Sequence, residues 1–260
     1  MPDHLSDILK LNDPDTPGRE VISLIGGGGK TSLMFSLAGK LARVGKTVLC
    51  TTTTKIFMPG HDESPDTIIA GSIDELINKA KVCLTRHNHF SAASAHDKAK
   101  GKLLGFSPDI IDQLHKRGLF DLIIVEADGA RQKPHKTTDL HEPVLPGATT
   151  HLILVTGLDV VGKPLDSKYV HRAELFSKNH GLSMGGVIDE QSIAKSIMFE
   201  INKGAVLCHP GLITVFLNKA DNSDKTVVGK KISKLLSGEK SIDSIITASI
   251  KNETFIKLKG

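Results

Sequence analysis

The sequence predicts an α/β protein, a three-layer sandwich built around a mainly parallel sheet. Short, almost wholly apolar runs alternate with longer stretches in which apolar residues recur at helical spacing. Strands separated by helices indicate βαβ units, which join parallel strands. The chain has 260 residues, of which 39% are hydrophobic, and this is enough to bury a full core. We expect residues 1–260 to form a single domain, with residues 1–19 as a flexible or peripheral N-terminal segment.

The first half of the chain mixes strong and weak strand signals. Its predicted elements are a strand at 21–25, a helix at 32–44, a strand at 47–51, two weaker strands at 67–70 and 81–85 around a helix at 72–80, and a helix at 108–114. The first of these helices is amphipathic and is closed by Gly45. Pro108 suits the first turn of the last helix, because that position needs no backbone donor.

The second half of the chain has the more apolar strands. They lie at 122–125, 151–156, 212–217 and, shorter, at 244–247. The strand at 122–125 is the most uniformly apolar, as expected of a strand covered on both faces. Lysines interleaved with apolar residues over 225–240 indicate the solvated face of an amphipathic helix. We interpret 57–66 and 131–150 as long loops rather than domain linkers.

Composition and charge exclude several classes of protein. Lysine and arginine exceed aspartate and glutamate by 33 − 29 = 4, too few to mark a nucleic-acid-binding protein without a concentrated basic stripe. No apolar run approaches the roughly 18 residues of a membrane helix, and residues 1–20 lack the apolar core of a signal peptide. The distant cysteines Cys50, Cys83 and Cys208 indicate neither a disulfide framework nor a zinc ribbon. We expect a cytoplasmic protein without nucleic-acid or membrane partners, in which Cys50 is an inert core thiol.

The strongest single signal is a run of glycines after the first strand. Lys30, Thr31 and Ser32 start a helix directly after Gly26, Gly27, Gly28 and Gly29. Glycines let backbone N–H groups surround phosphate oxygens, and a helix N-terminus adds partial positive charge. Lys30 would contact the β- and γ-phosphates of a nucleotide, and the Thr31 hydroxyl would bind Mg²⁺. The pattern predicts a P-loop NTPase-like fold, although Leu24 replaces the first glycine of the usual motif and the GGxxK[ST] variant fits better.

Two carboxylates follow the strand at 122–125 and are candidates for metal and water chemistry. Glu126 and Asp128 lie where a P-loop protein needs an acidic group to hold the metal ion or orient water. Gly129 would let the backbone approach a γ-phosphate. The alternative is that one carboxylate only caps a loop beside Arg131. We predict a catalytic or metal-binding role for at least one of the pair, and the sequence leaves open which.

Asn218, Lys219 and Asp221 follow the strand at 212–217 and resemble the NKxD guanine-reading motif of GTP-binding proteins. In that motif the aspartate accepts hydrogen bonds from two donors of guanine, which adenine does not present. Open α/β sheets bind ligands at the carboxyl ends of their strands, where this motif lies. Ala248 follows the last strand, like the second base-contacting loop of the same proteins. The pattern favours GTP, with ATP, another base or a simple capping turn as alternatives.

Several other segments allow both a functional and a structural interpretation. Threonines 51–54 could contact phosphate, Mg²⁺ or an oxyanion, or extend the strand through their β-propensity; because the run overshoots the strand, we favour function. The cationic segment 130–146 could bind a second anionic ligand, stabilise charge during phosphoryl transfer, or be a solvated loop. Residues 169–172 could face a substrate or start a surface helix. We interpret the histidines within 87–96 as surface residues rather than a metal site.

Several segments occur in an order that matches a known family. They are SLIGGGGKTS, TTTTKI, IIVEADGARQKP, HEPVLP, VTGLDVVGKPLD with VHR, and LNKAD. Together they resemble the YqeC family, described as selenium-dependent molybdenum hydroxylase accessory proteins. The resemblance covers residues 20–250 and implies a cytoplasmic factor that acts near the maturation of molybdenum-cofactor hydroxylases. An apo-hydroxylase or its cofactor would then be a partner, besides the nucleoside triphosphate.

Three functions are compatible with these features. The leading hypothesis is an Mg²⁺-dependent maturation factor that hydrolyses a nucleoside triphosphate, with GTP preferred over ATP. The second is a small-molecule kinase or nucleotidyl-type transferase whose acceptor is held by segment 130–146. Transferases usually close several arginines over the phosphates, whereas only Arg131 and Arg172 lie near candidate ligand loops. The third is a nucleotide-dependent chaperone that does not hydrolyse its nucleotide.

Overall fold

The computed structural model describes residues 4–9, 11 and 19–260, so most of the predicted flexible segment 1–19 lies outside the described residues. The chain divides into two compact units. The first contains the described residues up to Leu24, Thr31–Gly129 and Val144–His151, and the second contains Ile25–Lys30, Ala130–Pro143 and Leu152–Gly260. One boundary therefore falls inside the glycine-rich segment, between Lys30 and Thr31. The single-domain organisation stays a prediction.

The first unit contains the amino-terminal strands and helices. In chain order they are α1 (His4–Ile8), β1 (Glu20–Gly26), α2 (Lys30–Arg43), β2 (Val48–Thr52), β3 (Lys55–Phe57), β4 (Thr67–Ile69), α3 (Ile73–Cys83), β5 (His89–Ala93), β6 (Ala95–Asp97), β7 (Lys102–Leu104), α4 (Pro108–Arg117) and β8 (Leu122–Glu126). The end of β1 and the first residue of α2 belong to the second unit.

The strands of the first unit are mostly parallel. They run in the order β1-β8-β2-β5-β4, and each neighbouring pair is parallel. All residues of β2 and β8 are buried, as expected for strands covered on both faces. The register pairs Glu126, at the end of β8, with Leu24 of β1 and Thr52 of β2. A separate antiparallel sheet of β3, β7 and β6 was not predicted.

The second unit contains the carboxyl-terminal elements. In chain order they are β9 (His135–Lys136), β10 (His151–Gly157), a 3-10 helix (Leu158–Val160), β11 (Val170–His171), α5 (Ala173–His180), α6 (Glu190–Cys208), β12 (Leu212–Asn218), α7 (Ser223–Leu236), β13 (Ser244–Ser249) and β14 (Thr254–Lys259). Strands β14, β13, β12 and β10 follow one another in that order. β12 and β13 are parallel, β14 is antiparallel to β13, and β9 pairs with β11. The prediction of an α/β fold with a mainly parallel sheet is confirmed.

Helix boundaries follow local sequence signals. At the start of α3, Ser72 accepts a hydrogen bond from the Glu75 N–H (3.3 Å), and Asn222 caps α7 in the same way. Pro108 lies in the first turn of α4, and Gly118 ends that helix in the left-handed conformation that glycine adopts without strain. None of the described helices is long and apolar enough to cross a membrane.

One predicted strand is wrong. Residues 81–85 do not form a strand, because α3 continues to Cys83. Leu76, Ala80 and Cys83 are buried at helical spacing along one face of α3, so the apolar residues of this run extend a helix. The strand that follows is β5, at His89–Ala93, which the sequence analysis missed because a histidine and a serine interrupt its apolar residues.

Candidate functional site

The glycine-rich segment forms a tight loop between β1 and α2. Gly26, Gly28 and Gly29 have positive φ angles of 93°, 80° and 124°. A Cβ atom on Gly28 would come within 2.2 Å of the Gly157 nitrogen and within 2.6 Å of the Pro134 carbonyl oxygen. Neither the backbone conformation nor the space therefore admits a side chain at Gly28. This is the strand, glycine loop and helix arrangement of a phosphate-binding loop.

Part of the loop's hydrogen-bonding capacity is used within the second unit. The Gly27 N–H donates to the Val155 carbonyl and the Gly28 N–H donates to the Lys133 carbonyl, each at 2.9 Å. From the sequence we expect the glycine N–H groups to point at phosphate. The N–H groups of Gly27 and Gly28 instead donate to protein acceptors. Contacts with phosphate would thus fall to Lys30 and to the N–H groups at the start of α2.

Lys30 is held inside the loop. Its side chain is buried, and Nζ donates to the Gly26 carbonyl oxygen at 2.6 Å. Ser32, one helical residue further along than Thr31, is exposed. Lys30 therefore belongs to the loop itself, whereas Ser32 faces away from the buried part of the chain.

In the first unit, a threonine hydroxyl meets a carboxylate. Thr31 Oγ1 donates to Glu126 Oε2 at 2.6 Å. Glu126 is the last residue of β8, and its pairing with Leu24 aligns the end of that strand with β1. Asp128 lies two residues beyond and is wholly buried. Of the two predicted carboxylates, Glu126 is the one that contacts Thr31, and the metal-binding roles of both stay predictions.

The Thr31 and Glu126 side chains offer the oxygen ligands that Mg²⁺ prefers. Among the described residues, no group of three or more His, Cys, Asp or Glu side chains could hold a metal ion. A magnesium ion at a phosphate site needs only one or two protein ligands, because phosphate and water supply the rest. The hydroxyl and carboxylate pair therefore fits such an ion.

The predicted base-reading residues lie in a loop that contacts the glycine segment of the same unit. Asn218 Nδ2 donates to the Gly28 carbonyl at 2.8 Å, and Asn218 Oδ1 accepts from the Ile250 N–H at 3.3 Å. Asn218 is buried, whereas Lys219 has a left-handed φ of 66° and its Nζ donates to Asp159 Oδ2 at 2.8 Å. Asn218 thus links the glycine loop to the segment that follows β13.

Two hydrogen bonds join the segment of Ala220 and Asp221 to Ala248 and Ser249 at the end of β13, and the base-reading roles of Asp221 and Ala248 stay predictions. Asp221 Oδ1 accepts a hydrogen bond from Ser249 Oγ at 2.5 Å, and the Ala220 N–H donates to the Ala248 carbonyl at 2.9 Å. Asp221 is exposed, while Ala248 and Ser249 are buried. The loop after β12 is therefore fixed by the last two residues of β13, and the Asp221 carboxylate is exposed.

The threonines at 51–54 are used differently from the functional role favoured by the sequence analysis. Thr51 Oγ1 donates to the Ala92 carbonyl (2.8 Å), Thr52 Oγ1 to the Glu126 carbonyl (2.7 Å) and Thr53 Oγ1 to the Val144 carbonyl (2.7 Å). Thr54 Oγ1 lies 3.2 Å from Thr52 Oγ1. The hydroxyls of Thr51, Thr52 and Thr53 bind neighbouring backbone, and these bonds stabilise the end of β2, as the structural interpretation expects.

Three residues near the glycine loop were not singled out from the sequence. Pro134 supplies the carbonyl that accepts from the Gly157 N–H at 2.9 Å. Asp159 pairs with Lys219, and its Oδ1 atom would lie 2.6 Å from a Cβ atom on Gly157. Gly157 and Asp159 directly follow an apolar strand, as the other candidate motifs do, and that position could have indicated them.

Burial dominates the electrostatics around these loops. His135 packs against the backbone of the glycine loop, and burial, with a smaller effect of His180, lowers its pKa to about 3. Its imidazole is therefore neutral and contacts Ser196 Oγ (2.9 Å) and Thr156 Oγ1 (3.3 Å). Burial likewise raises the pKa of the Cys50 thiol, as expected of an inert core cysteine.

Comparison with known proteins identifies related chains. The family model described as "YqeC protein" matches residues 22–174, more than half of the chain. The chain is also similar to "Uncharacterized protein YqeC" of Escherichia coli (strain K12), with 37% identity over 163 residues. That match covers 63% of this chain and 61% of the relative. The chain thus spans less than two thirds of the length of this curated relative.

Two solved structures resemble the chain more distantly. FtsY from Mycoplasma mycoides has a TM-score of 0.46 and 17% identity, and the match covers 94% of this chain and 64% of FtsY. A chain of the MinC:MinD cell division protein complex of Aquifex aeolicus has a TM-score of 0.47 and 15% identity, with 88% of this chain and 81% of that chain covered. Both are remote in sequence.

Proposed function

The chain belongs to the YqeC family, and from this premise we propose that it binds and hydrolyses a nucleoside triphosphate with Mg²⁺, with GTP preferred over ATP. The nucleotide cycle would serve an accessory role in the maturation of selenium-dependent molybdenum-cofactor hydroxylases, in the cytoplasm. The observation that carries the nucleotide part is the hydrogen bond from Asn218 Nδ2 to the Gly28 carbonyl. It joins the predicted base-reading residues to the predicted phosphate-binding loop.

The proposed phosphate contacts come from Lys30 and the start of α2. An ammonium group at the loop neutralises charge on the β- and γ-phosphates, and the helix N-terminus adds its partial positive charge. Bound Mg²⁺ would neutralise negative charge on the phosphates. Thr31 and Glu126 would hold it, and Asp128 would orient the attacking water.

Guanine selectivity would come from Asp221. A carboxylate that accepts from two donors of guanine loses those bonds with adenine, and an unpaired charged acceptor makes the wrong base unfavourable. Ser249 donates to Asp221 Oδ1, which fixes the orientation of the carboxylate. The salt bridge to Asp159 holds Lys219 in place, so that its stem could cover one face of the base.

The accessory role rests on the family and not on the geometry of the loops. An apo-hydroxylase or its cofactor would be the client, and nucleic acids and membranes would not be partners. If the client triggers hydrolysis, adding it should raise the rate of phosphate release. Nucleotide binding without any stimulated release would favour the non-hydrolysing chaperone.

Calorimetric titration with GTP, ATP and CTP, each with Mg²⁺, tests the nucleotide proposal. We expect GTP to bind at least about tenfold more tightly than the others, a difference of about 1.4 kcal/mol. Lys30→Ala should weaken GTP binding by roughly 100-fold, since a buried charged hydrogen-bond donor is lost. Lys40→Ala, in the last turn of the same helix, is the matched control. Equal GTP affinity in the two variants would remove the phosphate-loop assignment.

A further inference from the structure

A cationic cluster lies next to the phosphate-binding loop within the second unit. Its members are Arg131, Lys136, His171 and Arg172. The segment that contains Lys136 lies against the glycine loop, because the Lys133 carbonyl accepts from the Gly28 N–H at 2.9 Å. A Cβ atom on Gly27 would come within 3.2 Å of the His135 Cα atom. Lys136 therefore lies one residue beyond backbone that touches the loop.

Two cations of the cluster converge on one oxygen atom. Lys136 Nζ and Arg172 Nη1 each lie 2.5 Å from Glu142 Oε2. The Lys136 side chain is 0% exposed, whereas the Glu142 and Arg172 side chains are 17% and 27% exposed. Lys136 thus approaches the oxygen from the protein interior, whereas Arg172 approaches it from the side that is more open to solvent.

The positive charges lie close enough to act on one another. β9 and β11 align Lys136 with His171, and Arg172 follows directly in a left-handed conformation with φ of 63°. Burial, and then Arg172, Lys136 and Arg131, lower the pKa of His171 to about 4. The His171 ring is therefore neutral at physiological pH and able to exchange hydrogen bonds with an oxyanion.

A buried hydroxyl beside these cations is left without a partner. Thr137 is wholly buried, and among the described residues its Oγ1 atom has no hydrogen-bond partner. Its backbone N–H donates to the His171 carbonyl (3.1 Å), and its carbonyl accepts from Arg172 Nη1 (3.4 Å). A buried unpaired hydroxyl is unfavourable unless some ligand satisfies it. Thr137 is thus an additional donor within the cluster.

We propose that this cluster binds a phosphate-like oxyanion, one of whose oxygens replaces Glu142 Oε2 between Lys136 and Arg172. A lysine and the fork of an arginine suit a tetrahedral oxyanion. Glu142 then acts as an internal counter-ion that keeps Lys136 paired until the ligand displaces it. The site needs no nucleotide for binding, but its use as the acceptor site of a phosphate-handling reaction rests on the proposed function.

The test uses Lys30→Ala as the background, so that phosphate at the glycine loop does not contribute. We expect inorganic phosphate to raise the thermal unfolding midpoint of this variant. The rise should be lost in Lys30→Ala/Arg172→Gln and kept in Lys30→Ala/Arg86→Gln, because Arg86 only forms an exposed pair with Asp66. Equal rises in both double variants, or no rise in the background, would overturn the site. Tighter binding of phenyl phosphate than of inorganic phosphate would identify a phosphorylated small molecule as the source.

Glu142→Gln provides a gain-of-binding test that does not depend on the folding of the Arg172 variant. The substitution is made in the Lys30→Ala background. Removing the internal counter-ion should increase phosphate affinity about tenfold, so phosphate should stabilise Lys30→Ala/Glu142→Gln more than Lys30→Ala alone. Unchanged or weaker phosphate binding would mean that Glu142 is a fixed structural partner. GTP binding by the unsubstituted protein is measured separately, and its absence would remove the nucleotide proposal without affecting this one.

Discussion

Two polar runs follow buried strands in this chain, and they use their side chains in opposite ways. At the end of β2, the hydroxyls of Thr51, Thr52 and Thr53 all donate to backbone carbonyls of neighbouring segments. At the end of β12, Asn218 binds the glycine loop, while Asp221, three residues further on, receives a hydrogen bond from Ser249 and remains exposed. The first run closes a strand end, and the second holds a carboxylate at the surface. We therefore expect a structural role for the first run and a ligand-binding role for the second.

The largest expected effect that tests this contrast is a change of nucleotide base preference. Asp221→Asn exchanges a double acceptor for a group that also donates, so GTP should weaken by about 100-fold relative to xanthosine triphosphate. Calorimetric titration with both nucleotides measures the ratio. Asp224→Asn, in the first turn of α7, is the control and should leave it unchanged. If the ratio of GTP to xanthosine triphosphate affinity does not change in Asp221→Asn, the second run, like the first, has only a structural role.

A smaller effect should separate stability from binding at the first run. Thr51→Val keeps the shape of the side chain but removes the buried bond to the Ala92 carbonyl, at a cost of about 1 kcal/mol in the free energy of unfolding. Urea denaturation measures this loss, and GTP affinity should stay within about twofold. Thr85→Val, at an exposed hydroxyl, should change stability by less than about 0.5 kcal/mol. A large loss of nucleotide affinity in Thr51→Val would restore a functional role to the threonines.

The smallest effect concerns the orientation of Asp221. Ser249→Ala removes the hydrogen bond to Asp221 Oδ1, and GTP affinity should fall about fivefold, equivalent to about 1 kcal/mol. The preference for GTP over ATP should fall with it, whereas the affinity for inorganic triphosphate should not change. An equal loss for all three ligands would indicate damage to the phosphate-binding loop instead of to the base-reading residues.

Much of the fold could be predicted because its signals are local. The apolar runs at β1, β8, β10 and β12 each gave a strand, since burial on both faces leaves no polar positions to confuse the pattern. The run at 81–85 failed because a short apolar segment fits the end of a helix equally well. β5 was missed because its burial depends on neighbouring strands and not on its own composition.

The candidate site was less predictable, because its contacts join residues that are distant in the chain. Motif chemistry singles out Lys30, Glu126 and Asn218 as candidates, but it does not choose between Glu126 and Asp128. The contact from Thr31 to Glu126 spans 95 positions and the one from Asn218 to Gly28 spans 190. The pairing of Glu142 with Lys136 and Arg172 could not be predicted either, because the charged residues of segment 130–146 are equally compatible with a solvated loop.

The Asn218–Gly28 hydrogen bond has a consequence for how binding energies combine. One hydrogen bond joins the glycine loop, which we propose to bind phosphate, to the residues proposed to read the base, so a displacement of either loop would shift the other. Free energies of two such coupled parts are not additive. A double-mutant cycle between Lys30→Ala and Asp221→Asn should therefore show a non-zero interaction energy for GTP. In this protein, selectivity for the base and affinity for the phosphates would change together.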